Sequence, residues 1–296
     1  MEYIEVSAKT VDEALTEASI RLGVPSNEIE FEVIEQGSMG IFGLGRKNAV
    51  IKAAKRFSVQ DNVKEFLTSV FQAMDLEVDQ LKSEMTVERI VTKANMDFYE
   101  GTLNGASVVI VRSGIGKVNA ALCVQILADV FEVTHVINTG VAGSLNAKLD
   151  IGDILISVDA IQHDFDVRIF GYALGELASM GIREFQADAT LAKLALETCA
   201  EVNPDIHAKL GRVVSGDQFI CDKAVKENLI REFQADCTEM EGAAIAHGAY
   251  LNNIPFLVVR AISDKADGSA EMDYPTFERE AALHSAKLVE ALVAKL

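Results

Sequence analysis

The sequence predicts an α/β protein with a largely central sheet, preceded by a small α+β domain. Three observations carry this. From about residue 74 strand-like runs alternate with helical stretches, as in layered α/β architectures. Before residue 57 the pattern is instead strand, helix, strand, strand. The chain of 296 residues is 49% hydrophobic and 24% charged, which supplies a sizeable core and exceeds what one small domain needs.

Charge and cysteines narrow the function classes. Asp plus Glu total 45 against 27 Lys plus Arg, a net charge of −18. Such a field repels phosphate backbones and anionic lipid, so nucleic-acid binding is not the business of the whole chain. No apolar run reaches the roughly 18 residues of a membrane helix, and Met1-Glu-Tyr-Ile-Glu5 lacks the layout of a secretion signal. Cys123, Cys199, Cys221 and Cys237 contain no C-x-x-C pair and read as reduced thiols of a cytoplasmic protein.

In the front piece, Tyr3 to Val6 alternates as a strand. Thr10 caps a helix with Asp12 and Glu13 in its first turn, and Gly23 ends it. Glu28 to Ile34 alternates as a half-buried strand, and Ala49 to Ala53 forms another. Between them lies Gln36-Gly-Ser-Met-Gly-Ile-Phe-Gly-Leu-Gly-Arg-Lys47. Gly40 and Gly45 have phosphate-loop spacing, but Arg46, Lys47 and Asn48 come next, and then a strand, so a structural turn is predicted. The segment, with its Gly-x-Phe-Gly-x-Gly turn, resembles the N-terminal domain of Jag-type proteins. In that family the domain precedes separate RNA-binding modules, one of them of the KH type; none is expected here apart from a candidate remnant at Val63–Met74. The expected division is 1–57 for this domain, 58–73 for a linker or replacement first strand or helix, and 74–296 for the rest.

In the second piece, strands are predicted at Ser107–Arg112, His135–Asn138, Ile151–Ser157, Gly211–Ser215 and Phe256–Arg260. Helices are predicted at 117–130, 189–201, 222–233, 241–251 and 274–296. Small-residue turns at strand ends are where such sheets place their sites. Four stand after strands: Ser113-Gly-Ile-Gly-Lys117, Asn138-Thr-Gly-Val-Ala-Gly-Ser144, Ser215-Gly-Asp-Gln-Phe-Ile220 and the strand end Ser263-Asp264. Glu239 and Glu241 open a helix, where its dipole favours carboxylates; helix-start stabilisation suffices for one of them. Asp264 reads either as a cap on the next segment of chain or as a general acid at a buried strand end.

Other chemistries lack their parts. There is no H-E-x-x-H or Gly-x-Ser-x-Gly, and the five histidines do not cluster. His163-Asp-Phe-Asp166 has some metal-ligand character, but a solvated loop is the better reading.

The ordered set Ser-Gly-Ile-Gly-Lys-Val at 113–118, Asn-Thr-Gly-Val-Ala-Gly at 138–143, Val-Ser-Gly-Asp-Gln-Phe-Ile at 214–220, Glu-Met-Glu-Gly-Ala-Ala-Ile-Ala-His at 239–247 and Val-Val-Arg-Ala-Ile-Ser-Asp at 258–264 resembles the bacterial 5′-methylthioadenosine/S-adenosylhomocysteine nucleosidases of the nucleoside phosphorylase/hydrolase superfamily. The resemblance implies a three-layer fold with a mixed twisted sheet. It also implies hydrolysis of adenosyl thioethers to adenine in methionine salvage and S-adenosylmethionine by-product recycling, with 5′-deoxyadenosine as a further candidate substrate. It implies Asp264 as proton donor to adenine N7, with Ser263 and Arg260 orienting that aspartate or the strand end. Glu241 would hold the ribose hydroxyls and Met240 lie beside the ribose. Phe219 would stack on adenine, Ile220 read its edge, and Ala142, Gly143, Ile115 and Tyr274 line the site. Ala73-Met-Asp-Leu-Glu-Val78 matches the stretch holding the family's water-activating glutamate, which puts that role on Glu77.

The chain departs from the family upstream of Glu77, where Phe66-Leu-Thr-Ser-Val-Phe-Gln72 reads both as a strand and as a helix capped by Asp61. It departs again at Val141, where many relatives have serine. No metal or organic cofactor is implied. A two-fold homodimer is, with Val167, Phe170 and Tyr172 reaching the neighbouring subunit. The alternatives are a purine nucleoside phosphorylase, and an RNA-associated adaptor binding through the basic stretch at 46–56 with an inactive second piece.

Overall fold

The computed structural model describes residues 3–38, 47–55, 76–264 and 274–296, with the backbone alone for residues 28 and 274–279. The chain divides into two compact units, 1–65 and 66–296. The glycine turn at 39–46 and the stretch at 66–72 lie outside the described residues.

In the first unit, β1 (Ile4–Ala8), α1 (Val11–Leu22), β2 (Ile29–Ser38) and β3 (Lys47–Lys55) form an antiparallel sheet in the order β1-β3-β2 with one helix. Thr10 Oγ1 accepts the Glu13 amide at 3.1 Å, and Gly23 closes the helix at φ 66°. Val6, Ala14, Ala18, Ile29, Ile51 and Ala53 make the core. The small alanines let the helix lie close on the sheet.

The second unit begins with helix α2 (76–84) and an antiparallel meander of β4 (Thr86–Lys93), β5 (Met96–Leu103) and β6 (Ala106–Val111). Then come α3 (Lys117–Phe131), β7 (Val136–Asn138), β8 (Val141–Ser144), β9 (Ile154–Gln162), β10 (Phe185–Gln186), α4 (Ala189–Val202), β11 (Ala208–Ser215), α5 (Lys223–Phe233), β12 (Cys237–Glu239), α6 (Gly242–Leu251), β13 (Phe256–Asp264) and α7 (Tyr274–Val293). The main sheet runs β10-β9-β11-β12-β8-β13-β7. Its pairings are mixed: β13 is parallel to β7 and β8, and antiparallel to β9. The β9–β13 pairing closes β9, β11, β12, β8 and β13 into a ring.

β13 explains why the sheet is central. Val258 and Ile262 pack with buried residues of α3 and α6, whereas Leu257 and Val259 pack with Leu191 of α4 and Leu288 and Leu292 of α7. A strand covered on both faces reads as a continuous apolar run, as Phe256 to Val259 does. The architecture is therefore α/β, helices flanking a mixed sheet, as predicted. Among the described residues no helix is long and apolar enough to cross a membrane.

The strands β4, β5, β8 and β12 were not legible. β4 is almost wholly exposed, which removes the alternation that marks a half-buried strand. β8 and β12 are four and three residues of mainly small and polar types. His163-Asp-Phe-Asp166 is not the solvated loop expected. His163 is buried, and Asp164 pairs with Lys117 at 2.6 Å and accepts the Asp217 amide at 2.9 Å, because the loop wedges beneath the Ser215–Ile220 turn. Among the described residues no group of three or more His, Cys, Asp or Glu is placed to hold a metal ion.

Candidate active site

Five turns of the second unit meet at the C-terminal ends of its strands. They open onto a cavity of about 1200 Å³ that extends along β5, β6 and the C-terminal end of α7, and whose lining includes Glu77, Ile115, Ala142, Gly143, Phe219, Ile220, Met240, Glu241, Arg260, Ser263 and Asp264. Tyr274 begins α7, and its side chain lies outside the described residues. Eleven of the twelve residues singled out in the sequence thus line this cavity, although they span 187 positions of chain from Glu77 to Asp264.

The Glu239–Glu241 pair divides its labour. Glu239, on β12, accepts the amides of Glu241 (3.0 Å) and Gly242 (2.8 Å), and so stabilises the start of α6. The same carboxylate pairs with Arg260 Nη2 at 2.5 Å and accepts from Ser215 Oγ. Burial pushes the Glu239 carboxyl up, but Arg260, Ser215 and the α6 amide outweigh it and hold it below its ordinary value. Glu241 is the residue preceding α6 yet makes no side-chain cap; its Oε1 reaches across to the Gly116 amide at 2.8 Å. Burial, then the neighbouring Glu239 charge, push the Glu241 carboxyl up to about 7.

The geometry corrects one expectation. Arg260 does not orient Asp264. It is 1% exposed, and its guanidinium is committed to Glu239 and to Asn138, with Nη1 donating to the Asn138 carbonyl at 3.3 Å. Its side chain links β13 to Glu239 of β12 and Asn138 of β7. Ser263 does stand beside Asp264: its Oγ lies 3.4 Å from Asp264 Oδ1 and donates to the Ala142 carbonyl at 3.2 Å.

Asp264 ends β13 against β8, where the pairing shifts register between Ile262 and Asp264. A Cβ on Gly143 would fall 2.8 Å from Asp264 Oδ1, so only glycine leaves room for this carboxylate. On the other side, Asp264 Oδ2 meets Lys226 Nζ at 2.6 Å.

Glu77, on α2, is 3% exposed and accepts from Thr139 Oγ1, which lies 2.6 Å from Ser285 Oγ of α7. Burial pushes the Glu77 carboxyl up; the Ser285 and Thr139 hydroxyls and Arg260 oppose this without cancelling it. At the start of α3, Gly114 and Gly116 adopt φ of 79° and 91°, turning the Gly116 and Lys117 amides toward Glu241 and Asp217.

A family model described as the phosphorylase superfamily matches residues 69–294, and one described as the Jag N-terminus matches residues 6–55. A 5′-methylthioadenosine/S-adenosylhomocysteine nucleosidase of Staphylococcus haemolyticus is 40% identical over 228 residues, 77% of this chain and 99% of the relative. The chain belongs to the phosphorylase superfamily, among its 5′-methylthioadenosine/S-adenosylhomocysteine nucleosidases. The nucleosidase of Colwellia psychrerythraea, solved with adenine, is 36% identical with a TM-score of 0.71, covering 76% of this chain and 93% of that one. The futalosine hydrolase of Helicobacter pylori is 33% identical with a TM-score of 0.69, covering 75% and 94%.

Three residues of this nucleosidase-family site were not singled out from sequence. Thr139 lies inside one of the small-residue turns. Ser285 interrupts the buried apolar face of α7 formed by Ala281, Ala282, Leu288 and Leu292. Lys226 shares the inner face of α5 with Leu229 and Phe233. A polar residue on an apolar helical stripe was the available signal in the last two cases.

Proposed function

We propose that this chain hydrolyses the N-glycosidic bond of S-adenosylhomocysteine and 5′-methylthioadenosine, with 5′-deoxyadenosine as a further substrate, releasing adenine in methionine salvage. The observation that carries the reading is one cavity lined by two carboxylates from distant elements, Asp264 on β13 and Glu77 on α2, with Glu241 between the turns.

Cleavage of C1′–N9 sends the bonding electrons into the purine and leaves positive charge on the sugar. Asp264 is read as the acid that protonates N7, so the base departs neutral. Glu77 takes a proton from the water that attacks C1′. A buried carboxyl with a raised pKa suits that role because it holds a captured proton more firmly than an exposed one. Glu241 accepts from the ribose hydroxyls, and its charge favours the oxocarbenium-like sugar. Met240 borders the ribose. Phe219 stacks on adenine while the Ile220 backbone reads its edge, with Ala142, Gly143, Ile115 and Ser263 completing the wall. Arg260 serves by fixing Glu239, and through it the start of α6.

Hydrolysis is favoured over phosphorolysis by the state of the α3 N-terminus. Its Gly116 and Lys117 amides, a natural anion site, are taken by Glu241 and Asp217, and Lys117 Nζ pairs with Asp164. A phosphate there would have to displace carboxylates and face Glu77. Exposed Phe170 and Ile169 support a homodimer, and four free thiols, three of them buried, support a cytoplasmic setting.

The test is adenine release by the wild type, Asp264→Asn and Glu77→Gln, with and without phosphate, on both thioethers and on futalosine. Phosphate-independent release from the thioethers, nearly abolished in Asp264→Asn, is expected. Strict phosphate dependence points to a phosphorylase, preference for futalosine changes the substrate, and RNA binding without adenine release points to the adaptor; each overturns the reading.

A further inference from the structure

α5 turns one face inward, and that face carries a lysine. Asp222 accepts the Val225 amide at 3.0 Å and its carbonyl takes the Lys226 amide at 3.0 Å, which fixes the first turn. Lys226 is 5% exposed, on the same face as Leu229 and Phe233. A lysine is rarely so buried without a partner for its charge. Its Nζ lies 2.6 Å from Asp264 Oδ2, 38 residues further along the chain.

The two oxygens of Asp264 are thereby made unequal. Oδ2 is held by the ammonium. Oδ1 faces Gly143, with Ser263 Oγ at 3.4 Å. Gly143 and Ala142 belong to the wall assigned to the ribosyl and base site. We propose that Lys226 is the positioning residue of the proton donor: by gripping Oδ2 it fixes the carboxyl plane and leaves Oδ1 as the oxygen presented to the purine. The proposal rests on Asp264 acting as the acid. A carboxyl group at a strand end rotates about its side-chain bonds; the ammonium on Oδ2 removes that freedom before substrate arrives, and the proton passed to the purine is the one carried on Oδ1. The other charged groups lining the cavity near it, Glu77, Glu239, Glu241 and Arg260, come from α2, β12, the start of α6 and β13. Glu239 and Arg260 hold each other, and Glu241 holds the Gly116 amide.

The experiment compares the full-length wild type, Lys226→Met, Lys226→Arg, Asp264→Asn and the Lys226→Met/Asp264→Asn double variant. Adenine release is read in steady state and, for slow variants, in single turnover. Lys226→Met should lower kcat by about tenfold to a hundredfold while KM stays within about threefold, because the loss falls on proton transfer and not on binding. Lys226→Arg keeps the cation and should recover most of kcat. The double variant should be no slower than Asp264→Asn alone, since a residue acting through Asp264 has nothing left to position.

Wild-type kcat in Lys226→Met, a rise in KM without loss of kcat, or additive losses in the double variant would each overturn the proposal while leaving a proton-donating Asp264 intact. An inactive wild type would instead defeat the hydrolase reading itself. If Lys226→Met does not fold, Lys226→Gln provides the same comparison. Loss of folding in both assigns the lysine to the scaffold and rejects the proposal.

Discussion

Replacing Glu241 by glutamine should make the empty protein more stable above neutrality, at the expense of turnover. Burial and the Glu239 charge raise the Glu241 carboxyl from 4.5 to about 7. A group that binds its proton more tightly when folded contributes its full stability below pH 4.5. That contribution falls as the pH climbs through about 7, because the folded state must then surrender a proton the unfolded state has already lost. The difference corresponds to about 3 kcal/mol at pH 8. Glutamine keeps an oxygen for the Gly116 amide, which Glu241 Oε1 now accepts at 2.8 Å, and removes the like charge beside Glu239. For a unit of this size the gain translates to a Tm about 6–12 °C above wild type at pH 8, shrinking toward zero near pH 4.5. Thermal melts of both proteins from pH 4.5 to 8 test this, since titrations common to both chains cancel in the difference. A Tm difference that does not grow with pH would refute the argument. Adenine release should fall at the same time, because the charge that destabilises the empty site is the one offered to the cationic sugar.

Two further substitutions separate scaffold from chemistry. Arg260→Met strands the buried Glu239 carboxylate, and unfolding measurements should show a loss of about 3–5 kcal/mol, the usual cost of breaking a buried ion pair from one side; a loss below about 1 kcal/mol would contradict the pairing. Gly143→Ala places a methyl 2.8 Å from Asp264 Oδ1 and should cut adenine release strongly while far-UV circular dichroism stays native; wild-type turnover would show that the aspartate is not held where the geometry has it.

The alternation of apolar strands and amphipathic helices after residue 74 was readable because each element is encoded within ten or twenty neighbouring residues. The cap at Thr10 and the stop at Gly23 are equally local, and they stand where the side chains predicted them. β8 and β12 escaped because three or four small residues carry no period. Their strand character comes from the ladder partners β13 and β11.

The turns that line the cavity were also legible, since glycine-rich strand ends are a local signal and their order along the chain matched a family. Which charge meets which was not. Glu239 and Glu241 stand two residues apart, yet one serves Arg260 and the α6 amides while the other crosses to α3. Arg260 and Asp264 are near neighbours on one strand and do not meet, whereas Lys226 and Asp264, 38 positions apart, do. Sequence determined the elements and the chemical types at their ends, because backbone preference and periodicity act over short range. Only tertiary structure decided the pairings, because an ion pair depends on where separate strands and helices are brought together, and no local pattern encodes that distance.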